Sequence, residues 1–187
     1  MTHNDRGRSV RTALSIAALA LVTMSLASCE SGADAQSSAH PLGTVVKTQF
    51  YSLQGGTKQG PGTVSVTDVR TGEQGDLEAA GFELDADQAR TTPHYVDITF
   101  TNTGDVPVDL RDPSGIDQHD ELVPSLTVLE FGTSSTFADC PLLPDTLAPG
   151  DTVDGCAIVL VPDGVDLKQV AYLPDVTEDF VYWDSEL

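Results

Sequence analysis

Val96-Asp97-Ile98-Thr99-Phe100-Thr101 alternates apolar and polar residues without a break and runs into Asn102-Thr103-Gly104-Asp105. A period of two puts Val96, Ile98 and Phe100 on one face of a strand, and the Asn-x-Gly-Asp that follows supplies a turn. The same reading extends in both directions. Upstream, Val64 and Val66 alternate with Ser65 and Thr67; downstream, Val106, Val108 and Leu110 alternate with Pro107 and Asp109. Residues 126–131 and 156–161 are more continuously apolar, as interior strands can be, and 168–173 with 180–183 complete the set. Breakers stand between them at Asp112-Pro113-Ser114-Gly115, Ala148-Pro149-Gly150-Asp151, Pro162-Asp163-Gly164 and Leu173-Pro174-Asp175. Seven or more short strands spaced by turn signals predict an all-β protein, an antiparallel two-sheet sandwich. No amphipathic helix competes, and residues 76–82 allow one helical turn at most. Residues 43–50 read as a first strand or an ordered arm, and the glycines at 55, 56, 60 and 62 place the start of the compact domain, 62–187, after them.

The 187 residues carry 29 Asp plus Glu against 9 Lys plus Arg, a formal charge of −20. That balance argues against nucleic acid as a partner, because binding a phosphate backbone needs clustered cations. Leu, Val, Ile and Phe make up about a quarter of the chain, above the roughly 20% below which strong charge accompanies disorder, so a folded core is expected.

The first residues carry an address. Arg6, Arg8 and Arg11 precede the apolar run 13–26, which is shorter than the roughly 20 residues a membrane-spanning helix needs. The run reads as residues 1–28 of a secretory leader. It ends in Leu26-Ala27-Ser28-Cys29, which resembles the lipobox of bacterial lipoproteins: an aliphatic residue, two small ones and the motif's cysteine. The resemblance implies cleavage before Cys29 and diacylation of its sulfur, which would hold the protein on the extracytoplasmic face of the cell membrane. Residues 29–61 would then form a lipidated tether with a possible N-terminal arm, small and polar at first and including His40. Removing 1–28 leaves 28 acidic residues against 6 basic ones, a net charge of −22.

With Cys29 assigned to lipid, Cys140 and Cys156 remain, an even pair in an oxidising compartment, and one pair allows one bridge. It would close a loop of about 15 residues, for which chain entropy gives roughly 3 kcal/mol. Free thiols or a metal site are the alternatives, although two cysteines 16 apart with no nearby His do not match zinc spacing.

Residues 93–108, followed by 147–164, resemble a bacterial family of immunoglobulin-like lipoprotein domains of unknown function. The shared features are a lipobox, a low-complexity spacer, a strand ending in Asn-x-Gly-Asp and a Pro-Gly hairpin running into Gly155-Cys156, an apolar strand and Val161-Pro162-Asp163-Gly164. The resemblance implies an antiparallel immunoglobulin-like sandwich with a binding or accessory role, and it carries over Cys29 and the Cys140–Cys156 pair.

Signals for chemistry are weak. A serine hydrolase needs an activated Ser beside a base; there is no Gly-x-Ser-x-Gly, and only His40, His94 and His119 follow the leader. His94, ahead of the expected strand, reads as a surface or edge imidazole. Residues 54–62 are Gly-rich but lack the spacing of a phosphate-binding loop. The densest polar cluster is Asp112, Asp117, Asp120 and Glu121, whose oxygens suit a hard cation such as Ca²⁺ although their spacing is not that of an EF-hand. Tyr51, Tyr95, Tyr172, Tyr182 and Trp183 are candidate anchors for a partner, since Tyr and Trp dominate binding hot spots. The expectation is a non-catalytic, lipid-anchored binding or accessory module without a cofactor, working with an envelope protein or cell-wall partner. A cell-envelope hydrolase and a Ca²⁺-dependent structural module are the alternatives.

Overall fold

Val96, Ile98 and Phe100 lie in a strand that is longer than their alternation and central in its sheet. The protein was described from a computed structural model, which covers residues 38–51, 60–127, 137–174 and 179–187. The leader, Cys29, the tether to residue 37 and most of the strand expected at 126–131 lie outside the described residues.

The elements run β1 (Val46–Phe50), β2 (Gly60–Thr71), α1 (Gln74–Ala79), β3 (Thr91–Asn102), β4 (Val108–Asp109), β5 (Ser114–Asp117), β6 (Leu122–Val123), β7 (Thr146–Leu147), β8 (Thr152–Pro162), β9 (Leu167–Tyr172) and β10 (Val181–Asp184). Two antiparallel four-stranded sheets have the orders β1-β2-β3-β8 and β10-β9-β5-β6, and β4 pairs with β7 alone. Residues 43–50, read as strand or arm, thus contribute a paired strand, and Phe50 is fully buried. The sheet begins upstream of residue 62, where the sequence reading starts the domain.

One core joins the two sheets. Phe50, Val64, Val66, Val96, Ile98, Phe100 and Val159 of the first meet Leu167, Val170, Tyr172 and Trp183 of the second. The rings of Phe100 and Tyr172 lie 5.2 Å apart, and Phe50 meets Phe100 edge-on at 5.8 Å, spacings at which aromatic pairs add to simple burial. The outer face of the first sheet carries a second, smaller core of Leu77, Tyr95, Phe137, Cys140, Cys156 and Ile158. β3 is therefore buried on both faces, which is why Pro93 to Val96 are buried in succession rather than alternately.

The turn after β3 is built by Asn102. Its buried side chain donates to Val106 O at 2.8 Å and Leu147 O at 3.1 Å and accepts from Gly104 N at 2.9 Å. One amide so satisfies three groups that would otherwise be costly to bury. Before β8, Ala148-Pro149-Gly150-Asp151 closes a turn with Asp151 N on Ala148 O, and Gly150 takes φ +80°, the conformation a type II turn requires at that position.

The N-terminal stretch links the sheets. His40 pairs in parallel with Trp183, donating to Tyr182 O at 2.8 Å and accepting from Asp184 N at 2.9 Å. A few residues later Gly43 N donates to Val66 O at 2.7 Å, and Trp183 Nε1 donates to Thr44 O at 3.1 Å. His40, assigned to the tether from sequence, is thus bound to the edge of β10.

Candidate functional site

The acidic segment 112–121, the alternative cation site, consists of strand β5 and the tight turn that joins it to β6. Asp117, buried at the end of β5, accepts the backbone N–H groups of His119 and Glu121 on one carboxylate oxygen, both at 2.8 Å. Asp120 sits at φ +64°, a left-handed conformation that Asp tolerates better than most residues, and its carboxylate pairs with Lys168. Asp112 lies at the far end of β5 beside a cavity of about 130 Å³ that Asp145, Leu142 and Leu143 also line. Burial, with Asp145 adding its charge, raises the Asp112 carboxyl above the usual carboxylate range. The structure does not bring Asp112, Asp117, Asp120 and Glu121 together, and among the described residues no three His, Cys, Asp or Glu side chains converge as metal ligands would.

The aromatic candidates divide by burial. Tyr95, Tyr172 and Trp183 belong to the cores and offer no surface to a partner. Burial keeps the Tyr172 hydroxyl protonated far above its ordinary range. Tyr51 is half-buried under the Arg111 guanidinium, 5.8 Å from its ring, and Tyr182 is half-buried against Phe180. His94 is not at a surface or an edge. It lies in β3 between Thr71 of β2 and Val159 of β8 and is 6% exposed.

Cys140 and Cys156 form the expected disulfide, with Cα atoms 4.9 Å apart. It lies on the outer face of the first sheet, within the smaller core, and does not join the two sheets. Beside it the Arg70 guanidinium grips Asp97 in a two-pronged contact at 3.0 and 3.2 Å and lies 5.3 Å from the centre of the Tyr95 ring. This hydrogen-bonded pairing raises the Arg70 pKa further. Such a fork fixes geometry as well as charge.

A recess lies between β1 and β10, each the last strand of its sheet. A groove of about 630 Å³ has Lys47, Thr48 and Gln49 of β1 on one side and Pro174, Phe180 and Val181 on the other. Its size is in the range of small-ligand and peptide sites. Gly62 also lines it, and Asp179 adds a carboxylate.

The backbone of β1 is unusual here. Gln49 stands opposite Pro61, which has no N–H, so that pair cannot exchange the two bonds of a hydrogen-bonded pair. By alternation Lys47–Thr63 is also a non-hydrogen-bonded pair, and the N–H and C=O groups of Lys47 and Gln49 point away from β2. Pairing along this outer side resumes only at Tyr51, whose carbonyl accepts Asp109 N at 2.9 Å. Among the described residues nothing pairs with the four groups of Lys47 and Gln49. The sequence reading passed over this edge. Its one signal was Pro61, which falls opposite Gln49 only once the register is known.

No family model matches the chain, and no curated protein matches it. Among solved structures it is similar to a candidate lipoprotein of Bacillus subtilis, ycdA, with 14% identity and a TM-score of 0.45 over 75% of this chain. The match spans 39% of the ycdA chain, well under half of its length. The B. subtilis yjhA protein is similar at 16% identity and a TM-score of 0.49, covering 78% of this chain and 98% of that one. A conserved hypothetical protein of Bacillus anthracis is similar at 13% identity and a TM-score of 0.38, covering 73% and 96%.

Proposed function

We propose that the protein is a lipid-anchored, extracytoplasmic binding or accessory module of the bacterial cell envelope, built on an immunoglobulin-like sandwich. The observation that carries the reading is the Cys140–Cys156 bridge, because disulfides persist in oxidising compartments outside the cytoplasm. The Leu26-Ala27-Ser28-Cys29 motif supplies the anchor: two acyl chains at about 0.8 kcal/mol per buried methylene hold a domain that one chain holds only briefly.

The strand order supports the sandwich type. With β2, β3 and β8 taken as strands A, B and E, and β10, β9, β5 and β6 as G, F, C and C′, the strand orders resemble the immunoglobulin arrangement, with no strand at the D position among the described residues. β1 is then an additional strand outside A. The tether limits where such a module works. Nine residues of chain lead from Cys29 to Ser38, which reach at most about 32 Å when fully extended. His40 is already held by β10, so little slack remains between Cys29 and the domain.

The test is proximity crosslinking of the protein in its native membrane, with Cys29→Ala as control. A defined envelope protein captured by the wild type and lost with Cys29→Ala is the expected result. Equal capture by both chains, or no enrichment over the control, overturns the accessory reading.

A further inference from the structure

We infer that the groove between β1 and β10 takes an extended, basic polypeptide segment, which adds as a strand along the side of β1 that no described residue pairs with. The inference deepens the binding role proposed above and rests on that reading. Lys47 and Gln49 present two N–H and two C=O groups outward, and residues two apart on a strand are spaced about 6.8 Å, the repeat that an incoming strand matches. The groove beside them has room for side chains against Pro174, Phe180 and Val181.

Charge selects the occupant. A second copy would bring its own large negative charge against this one, which is unfavourable. A basic segment instead is drawn by the net charge and finds Asp179 on the facing wall. Residue 49 is also the place where this edge can be blocked without harm to the sheet. Its N–H makes no bond to β2, so proline there removes an outward donor and leaves the internal ladder whole.

The experiment uses the full-length chain expressed with its own leader and purified in detergent. The probe is a fluorescent, end-capped heptapeptide of alternating Val and Lys, followed by anisotropy at 150 mM NaCl. Two further peptides serve as controls: one N-methylated at alternate positions along one edge, and one with Glu in place of Lys. The expected result is saturable binding, at least tenfold weaker for the N-methylated peptide and for Gln49→Pro, and absent for the Glu peptide. Thermal melting checks that Gln49→Pro is folded; if it is not, the N-methylated peptide decides.

Equal binding of the methylated and unmethylated peptides reduces the effect to bulk charge and overturns the inference, as does no binding. Self-association in sedimentation that Gln49→Pro abolishes assigns the edge to a second copy and also overturns it. Binding by a chain that carries no acyl group sustains the inference while the anchoring reading fails.

Discussion

His94 shows how far a single residue can depart from its sequence context. Read ahead of an expected strand, it looked like an edge imidazole, but β3 begins at Thr91 and runs between two neighbours, so His94 is interior. Among the described residues its Nδ1 has no hydrogen-bond partner, and burial lowers its pKa below the ordinary histidine value of 6.5. The folded protein holds it neutral, whereas the unfolded chain protonates it once the pH falls below that value. Between the two pKa values the unfolded state binds more protons, so stability is lost as the pH falls below about 6.5. Melting temperatures at pH 7.5 and 5.5 should therefore fall further for the wild type than for His94→Leu. An equal fall in both would assign the pH dependence to other groups. Nothing in the sequence marked His94 as buried, because its burial depends on β8, more than sixty positions away.

At the scale of elements, alternation identified strands where only one face is buried and misjudged them where it is not. Residues 167–172 and 181–184 lie within one residue of the expected strands. β2 was legible only as Val64 and Val66, because a register shift between Val66 and Asp68 breaks the period that would have extended it to Thr71. β3 and β8 are longer than their apolar cores, since each also serves the smaller core on the outer face. The expected strand at 106–110 contributes only the two-residue β4. The glycines that suggested a break before the domain do different work within it. A Cβ on Gly62 would lie 2.2 Å from the Phe50 ring and 2.5 Å from the Thr101 carbonyl. One of these contacts is with backbone that cannot yield cheaply, so Gly62→Ala should destabilise the protein by about 1–3 kcal/mol in urea denaturation. Unchanged stability would mean that β1 is not packed against β2 as described.

Over the whole molecule, the elements were more legible than their assembly. The link between Trp183 and Thr44 joins residues 139 positions apart, and no local pattern announces it. It is this link that draws the N-terminal stretch into the fold. The acidic cluster was conspicuous in sequence because four ligand-type residues fall within ten positions, yet the turn spends Asp117 on its own backbone and Asp120 on Lys168. The unpaired edge of β1 was inconspicuous because it depends on register. The address, by contrast, is linear, and the lipobox resemblance needs no tertiary structure to be read. Its most direct test is mass spectrometry of the N-terminus of the protein isolated from its native membrane. The account predicts a chain that begins at Cys29 and carries a diacylglyceryl thioether, with the modification absent from Cys29→Ala. A mature chain with an unmodified Cys29, or one that keeps residues 1–28, would contradict it.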